Sequence, residues 1–179
     1  MTAFFDTNVV FYRFDKRDLP KHRTARLLWQ QMAEARAAVI SSQVLAEFIN
    51  AVRRKLRPAM TAEQLHLAAA SLAPMVKVDS NKGLILAALE LALRFRLSIY
   101  DAMIVQAAID SGASILYSED LQDGQQFGPV QVVNPFAQPD LAVNEPGAGY
   151  AVSRDVRRQA KRAAGRRVAK KPRSPTAKR

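Results

Sequence analysis

The chain contains no cysteine, which removes disulfides, thiolate nucleophiles and thiolate-bound zinc together. Histidine is nearly as scarce. His22 and His66 are the only two, they lack metal-ligand spacing, and they read as ordinary helix residues. Acid–base chemistry by histidine therefore has no good case. No apolar run reaches the ~20 residues that a membrane-spanning helix needs. The N-terminus lacks the basic, apolar, small-residue order of a secretory signal. A soluble, cytoplasmic protein with no membrane partner is the expectation. The stretch Gly124–Gly128 has no Lys-Ser/Thr partner, so it gives no phosphate-binding P-loop. Aromatic residues make up only 7%, and Trp29 and most phenylalanines read as core rather than as base-stacking surfaces.

What is present suits one compact domain with an extension, since 49% of the 179 residues are hydrophobic. The net charge of +11 is unevenly placed. Residues 1–149 carry 15 Lys/Arg and 15 Asp/Glu, whereas residues 150–179 carry 12 Lys/Arg against Asp155 alone. The body is balanced and the positive field belongs to the tail. After Pro135 the composition shifts. Asn134–Tyr150 holds three prolines and reads as a linker. The division expected is a domain over 1–136, a linker over 137–152 and a basic, disordered tail over 153–179.

Periodicity gives the order of elements. Thr2–Val10 reads as a buried strand followed by a turn, His22–Arg36 as a helix and Ala37–Ile40 as a strand. Ser41 or Ser42 is placed to cap a helix running to about Arg57, with Val44, Phe48 and Val52 on its core face and Pro58 at its end. A helix follows Thr61, a strand spans Met75–Val78, and a helix spans Asn81 to Phe95. Asp101–Ser111 reads as a helix with Ala102, Val105 and Ile109 inward. Ala113–Tyr117 and Val130–Val133 read as strands. Strands separated by helices predict a mostly parallel sheet covered on both faces.

Four acids stand out by position. Asp6 and Asp120 each follow a strand-like run, where an open α/β sheet presents its binding residues. Glu47 lies between Val44 and Phe48 on an amphipathic helix. Asp101 falls in a first helical turn that Ser98 could cap, where a carboxylate is favoured by the helix field. Each also has a plain structural reading: turn former, solvated helix residue, helix-start residue, loop acid. Glu119 and Asp123 are nearby substitutes for Asp120. Asn8 and Ser118 are supporting candidates, able to hydrogen-bond the carboxylates or simply to form turns. Clustered acids need neutralisation, and Mg²⁺ suits oxygen-only ligands.

The segments Phe5-Asp6-Thr7-Asn8-Val9, Ser42-Gln43-Val44-Leu45-Ala46-Glu47-Phe48, Leu97-Ser98-Ile99-Tyr100-Asp101-Ala102-Met103-Ile104 and Leu116-Tyr117-Ser118-Glu119-Asp120-Leu121 occur in one small chain, in this order. Together they resemble the PIN-domain family, and within it the VapC-like ribonuclease toxins of type II toxin–antitoxin systems. The resemblance covers about residues 1–136. It implies a PIN-like three-layer α/β/α sandwich with a mostly parallel sheet. It also implies Mg²⁺-dependent hydrolysis of RNA phosphodiesters, with Mn²⁺ as a substitute, leaving 5′-phosphate and 3′-hydroxyl ends. Asp6 and Asp101 would be the main metal ligands. Glu47 would complete the site, and Asp120 would fill the family's variable fourth position. A homodimer and a cognate antitoxin are the partners implied.

Two other functions compete with this one. A catalytically inactive PIN-like RNA-binding or scaffold protein would share the fold. A haloacid-dehalogenase-like phosphatase also places an aspartate after its first strand, but it wants a second acid where this chain has Asn8, and a lysine that Ala113–Gly128 lacks. The basic tail reads as a nucleic-acid backbone contact, as a contact for an acidic partner, or as a solubilising end.

Overall fold

The three residues of β1 (Ala3–Phe5) are apolar and fully enclosed, so this strand can only be central to a sheet covered on both faces. In the computed structural model, which describes residues 2–137, β1 is hydrogen-bonded in parallel to β2 (Ala38–Ser41) on one side and to β4 (Ile115–Tyr117) on the other. Outside β2 lies β3 (Val76–Val78), and outside β4 lies β6 (Val130–Val133), both parallel. The short β5 (Gln126–Phe127) pairs antiparallel with β6 at the edge. The sheet order is β3-β2-β1-β4-β6-β5.

Among the described residues, six α-helices connect the strands: α1 (Thr7–Tyr12), α2 (Leu19–Glu34), α3 (Ser42–Lys55), α4 (Ala62–Leu72), α5 (Lys82–Phe95) and α6 (Ile99–Asp110). From β1 the chain builds outward through β2 to β3, then returns across the sheet to β4. With right-handed crossovers, these opposite directions put α5 and α6 on the face opposite the other helices. The contacts agree: α5 packs on α6, while α1 packs on α2 and α3, and α3 on α4. The result is the expected three-layer α/β/α sandwich. Strand order reverses between β1 and β4, and beyond the carboxyl ends of two such strands lies the natural binding crevice.

Core faces follow the sequence closely in α3, where Val44, Phe48 and Val52 are all buried. In α6 the burial extends further than expected, to Met103, Ile104, Ala107 and Ala108, while Ile109 is only partly covered. The segment after β1 differs from the expected turn. It is a helix, because Asp6 caps it and Val9, Val10 and Phe11 are buried on it. An apolar run this short does not distinguish strand from buried helix. The second helix begins at Leu19 rather than His22, capped by Asp18 with Pro20 in its first turn. The edge strand β5 was not expected. It is two residues long and is turned back by Gly128, whose φ of 57° suits the first position of a two-residue hairpin turn. The expected linker and basic tail lie, apart from Ala137, outside the described residues.

Candidate functional site

Asp6 immediately follows β1, where the chain leaves the sheet and turns into α1. As the helix cap, its Oδ1 accepts from the Thr7 amide at 2.6 Å. Its Oδ2 accepts from the Ser118 hydroxyl at 2.7 Å and from Asn8 Nδ2 at 3.3 Å. The side chain is almost fully buried. Burial pushes its pKa up to about 6, against the hydrogen bonds from Ser118 and the Thr7 amide that hold it down. The charges of Asp120 and Glu47 push it further up, which places both near Asp6.

Ser118 follows β4, the strand paired with β1, so parallel register carries it to Asp6. Its hydroxyl donates to Asp6 and accepts from the amides of Asp120 and Leu121 at 3.2 and 3.4 Å, shaping the turn that presents Asp120. Asn8 joins the two acids. Its Nδ2 reaches Asp120 Oδ2 at 2.9 Å as well as Asp6, and its Oδ1 lies 3.4 Å from the Glu119 amide.

Glu47 and Asp101 enter from helices. Glu47 Oε2 accepts from the Thr7 hydroxyl at 2.7 Å, and its Oε1 accepts from Gln43 Nε2, one turn earlier on α3, at 2.8 Å. The same Gln43 amide reaches the Tyr100 carbonyl at 3.3 Å, tying α3 to the start of α6. Asp101 sits in the first turn of α6. Ser98 caps that turn, accepting from the Asp101 amide at 3.1 Å and donating to its carboxylate at 2.7 Å. Thr7 and Gln43 did not stand out in the sequence. The readable trace of Gln43 is its spacing of four from Glu47 on a helix.

All four acids line one cleft of about 520 Å³, with Asn8 on its wall; Ser118 is buried behind Asp6. Of the two substitutes for Asp120, Glu119 also lines this cleft, and each has a partner of its own. Glu119 pairs with Lys21, which also donates to the Tyr12 hydroxyl, and Asp123 accepts from the Asn134 amide at 2.8 Å. Neither Asp6, Glu47, Asp101 nor Asp120 makes an ion pair among the described residues. Four carboxylates and no nitrogen or sulfur donor are the chemistry of a hard divalent cation. Among the described residues, however, no three such side chains stand close enough together to form a metal-ligand cluster. Their oxygens are turned to Thr7, Gln43, Asn8, Ser98 and Ser118 instead. No described helix is long and apolar enough to cross a membrane.

Comparison with known proteins agrees with this architecture. No curated protein matches the chain significantly. Among solved structures, it is similar to VapC20 of Mycobacterium tuberculosis, described as a sarcin–ricin-loop-cleaving toxin. The identity is 25%, with 66% of this chain and 90% of that one covered and a TM-score of 0.52. A toxin–antitoxin complex from Klebsiella pneumoniae matches at 20% identity, over 75% of this chain and 98% of that one, with a TM-score of 0.54. VapBC2 of Rickettsia felis, bound to a promoter DNA fragment, matches at 18% identity, over 74% and 97%, with a TM-score of 0.51. The PIN domain family itself matches residues 3–122, from β1 to just past Asp120. The chain belongs to the PIN domain family, with the fold of VapC-type toxins.

Proposed function

We propose that the protein is a Mg²⁺-dependent endoribonuclease and the toxin of a toxin–antitoxin pair, working in the cytoplasm as a homodimer with a cognate antitoxin. The observation that carries this reading is Asp6: a buried carboxylate at the strand-order reversal, pushed up to about 6 beside Asp120 and Glu47, with no cation paired to it among the described residues. At neutral pH such a group is mostly ionised in surroundings that disfavour its charge. Binding a divalent cation relieves that cost. Asp6 and Asp101 would be its main holders, with Glu47 and Asp120 completing the site.

The surrounding residues do the positioning. Ser118 fixes the rotamer of Asp6, Asn8 sets Asp6 against Asp120, and Thr7 with Gln43 orients Glu47. When bound, Mg²⁺ or Mn²⁺ supplies the Lewis acidity that activates water near neutral pH and stabilises charge developing on phosphate oxygens. The acids need no histidine beside them.

The test is cleavage of a cellular RNA pool by the purified protein with Mg²⁺ or Mn²⁺ and with chelator, Asp101→Asn run alongside at matched folding. Cleavage that needs the metal and is lost in the variant is expected. Metal binding has its own readout: millimolar Mg²⁺ should raise the melting temperature of the wild type and not that of Asp101→Asn. The absence of a preformed three-acid cluster among the described residues favours a second reading, a catalytically inactive RNA-binding scaffold. RNA binding with no cleavage under any metal would select it.

A further inference from the structure

The cleft changes chemistry along its length. On α3, Glu47, Asn50 and Arg54 recur at spacings of three and four and all line the cleft. One stripe of the helix therefore passes from acid to base over ~10 Å. Lys55 lines the same end. Cations in a last helical turn have a plain role in offsetting the helix dipole, and Arg53 fills it equally well. That role does not explain why Arg54 and Lys55, but not Arg53, border the cleft. Both are exposed, and among the described residues neither makes an ion pair. The cleft's other arginine, Arg17, is already held by Asp15 through Nε and Nη2.

The wall formed by α6 adds an aromatic ring. Tyr100 lines the cleft directly before Asp101, and it is 66% exposed while its backbone is tied to Gln43. A ring left mostly in water contributes little to the core, yet it is anchored at the rim of the acid site. A ligand suited to all three features carries negative charges in series together with flat faces free to stack. Unpaired polynucleotide has both, whereas in a duplex the faces are hidden.

We propose that Arg54 and Lys55 form a subsite for a backbone phosphate flanking the one at the acids, and that Tyr100 stacks on a base of the same single strand. This deepens the nuclease reading and rests on it. The test measures binding of a short single-stranded RNA to the full-length protein in chelator, from 50 to 200 mM salt, so that cleavage plays no part. Arg54→Gln/Lys55→Gln should weaken binding and lower the salt slope by about 0.7, for the one phosphate no longer neutralised. Lys77→Gln/Arg94→Gln, which removes two exposed cations outside the cleft, is the control and should leave the slope unchanged. Tyr100→Ala should weaken single-strand binding by about 5- to 150-fold without changing the slope, and should leave binding of a duplex of equal length unaltered.

Equal slopes for the two double variants, or unaltered single-strand binding by Tyr100→Ala, overturns the subsite. So does equal loss on duplex and single strand. The nuclease reading fails differently. Altered binding by the variants of a wild-type protein that never cleaves would retain the strand-binding track and reject the nuclease. Metal-dependent cleavage with both variants binding normally would do the reverse.

Discussion

Asp6 is charged at neutral pH against the preference of its own surroundings. Its folded pKa of about 6 lies above the ordinary 3.8, so between these values the native state holds a proton that the unfolded chain has released. Stability then falls as pH rises from about 4 to 6 and is level above that. The shift corresponds to about 3 kcal/mol of stability withheld at pH 7. Asp6→Asn should therefore be more stable than the wild type at pH 7–8 in chelator by up to about that amount, with the difference vanishing below pH 4. Urea unfolding of both proteins across that range checks it. A wild type no less stable than the variant at pH 7.5 would show that Asp6 is not destabilised by its burial. The hydroxyl of Ser118 and the amide of Asn8 belong to the same account, since each lowers the cost of keeping Asp6 charged. Their roles were readable only as possibilities, because a serine and an asparagine after strands also make turns.

The elements convert such residues into a site by fixing where each helix begins. Ser98 ends the extended segment before α6 and bonds both the amide and the carboxylate of Asp101. Ser98→Ala should cost about 1 kcal/mol of stability and reduce cleavage by more than that loss explains, because Asp101 loses its tether. Chemical denaturation beside a cleavage assay on the same preparations separates the two effects. On α3, Phe48, next in sequence to Glu47, is fully buried, with its ring centroid 5.2 Å from that of Phe14 and the rings tilted at 46°. Phe48→Ala should destabilise by about 3–5 kcal/mol, read as a lowered urea midpoint. The core stripe of α3 and the capping of α6 by Ser98 were legible because periodicity and capping are local. The helical state of Thr7–Tyr12 was not. Its six residues are too few for a period to declare itself, and its burial under α2 and α3 decides the conformation.

For the whole molecule, charge and topology act at different ranges. The described domain carries nearly balanced charge, while residues 150–179 hold the entire excess. If the tail engages RNA backbone, replacing Arg166, Arg167, Lys170 and Lys171 by glutamine should weaken RNA binding and lower its salt slope by about 0.7 for each cation engaged. Cleavage at saturating RNA should not change. Filter binding over a salt series and a saturation curve test this. An unaltered slope would leave the tail as a contact for an acidic partner or as a solubilising end.

Residue chemistry and local pattern were enough to determine the class of the protein. Acids after strands, no thiols, almost no histidines and strands separated by helices are properties of the chain itself, and so are the four segments that carry the PIN-domain resemblance. What they could not decide is which atoms face one another. Asp6 and Ser118 are 112 residues apart, and they meet because β1 and β4 pair in parallel. Thr7 reaches Glu47 across 40 residues because α1 packs on α3. Glu119, adjacent to Asp120 and chemically its equal, is engaged by Lys21. Those outcomes depend on register and packing between distant segments, and such contacts leave no periodic trace in a single sequence.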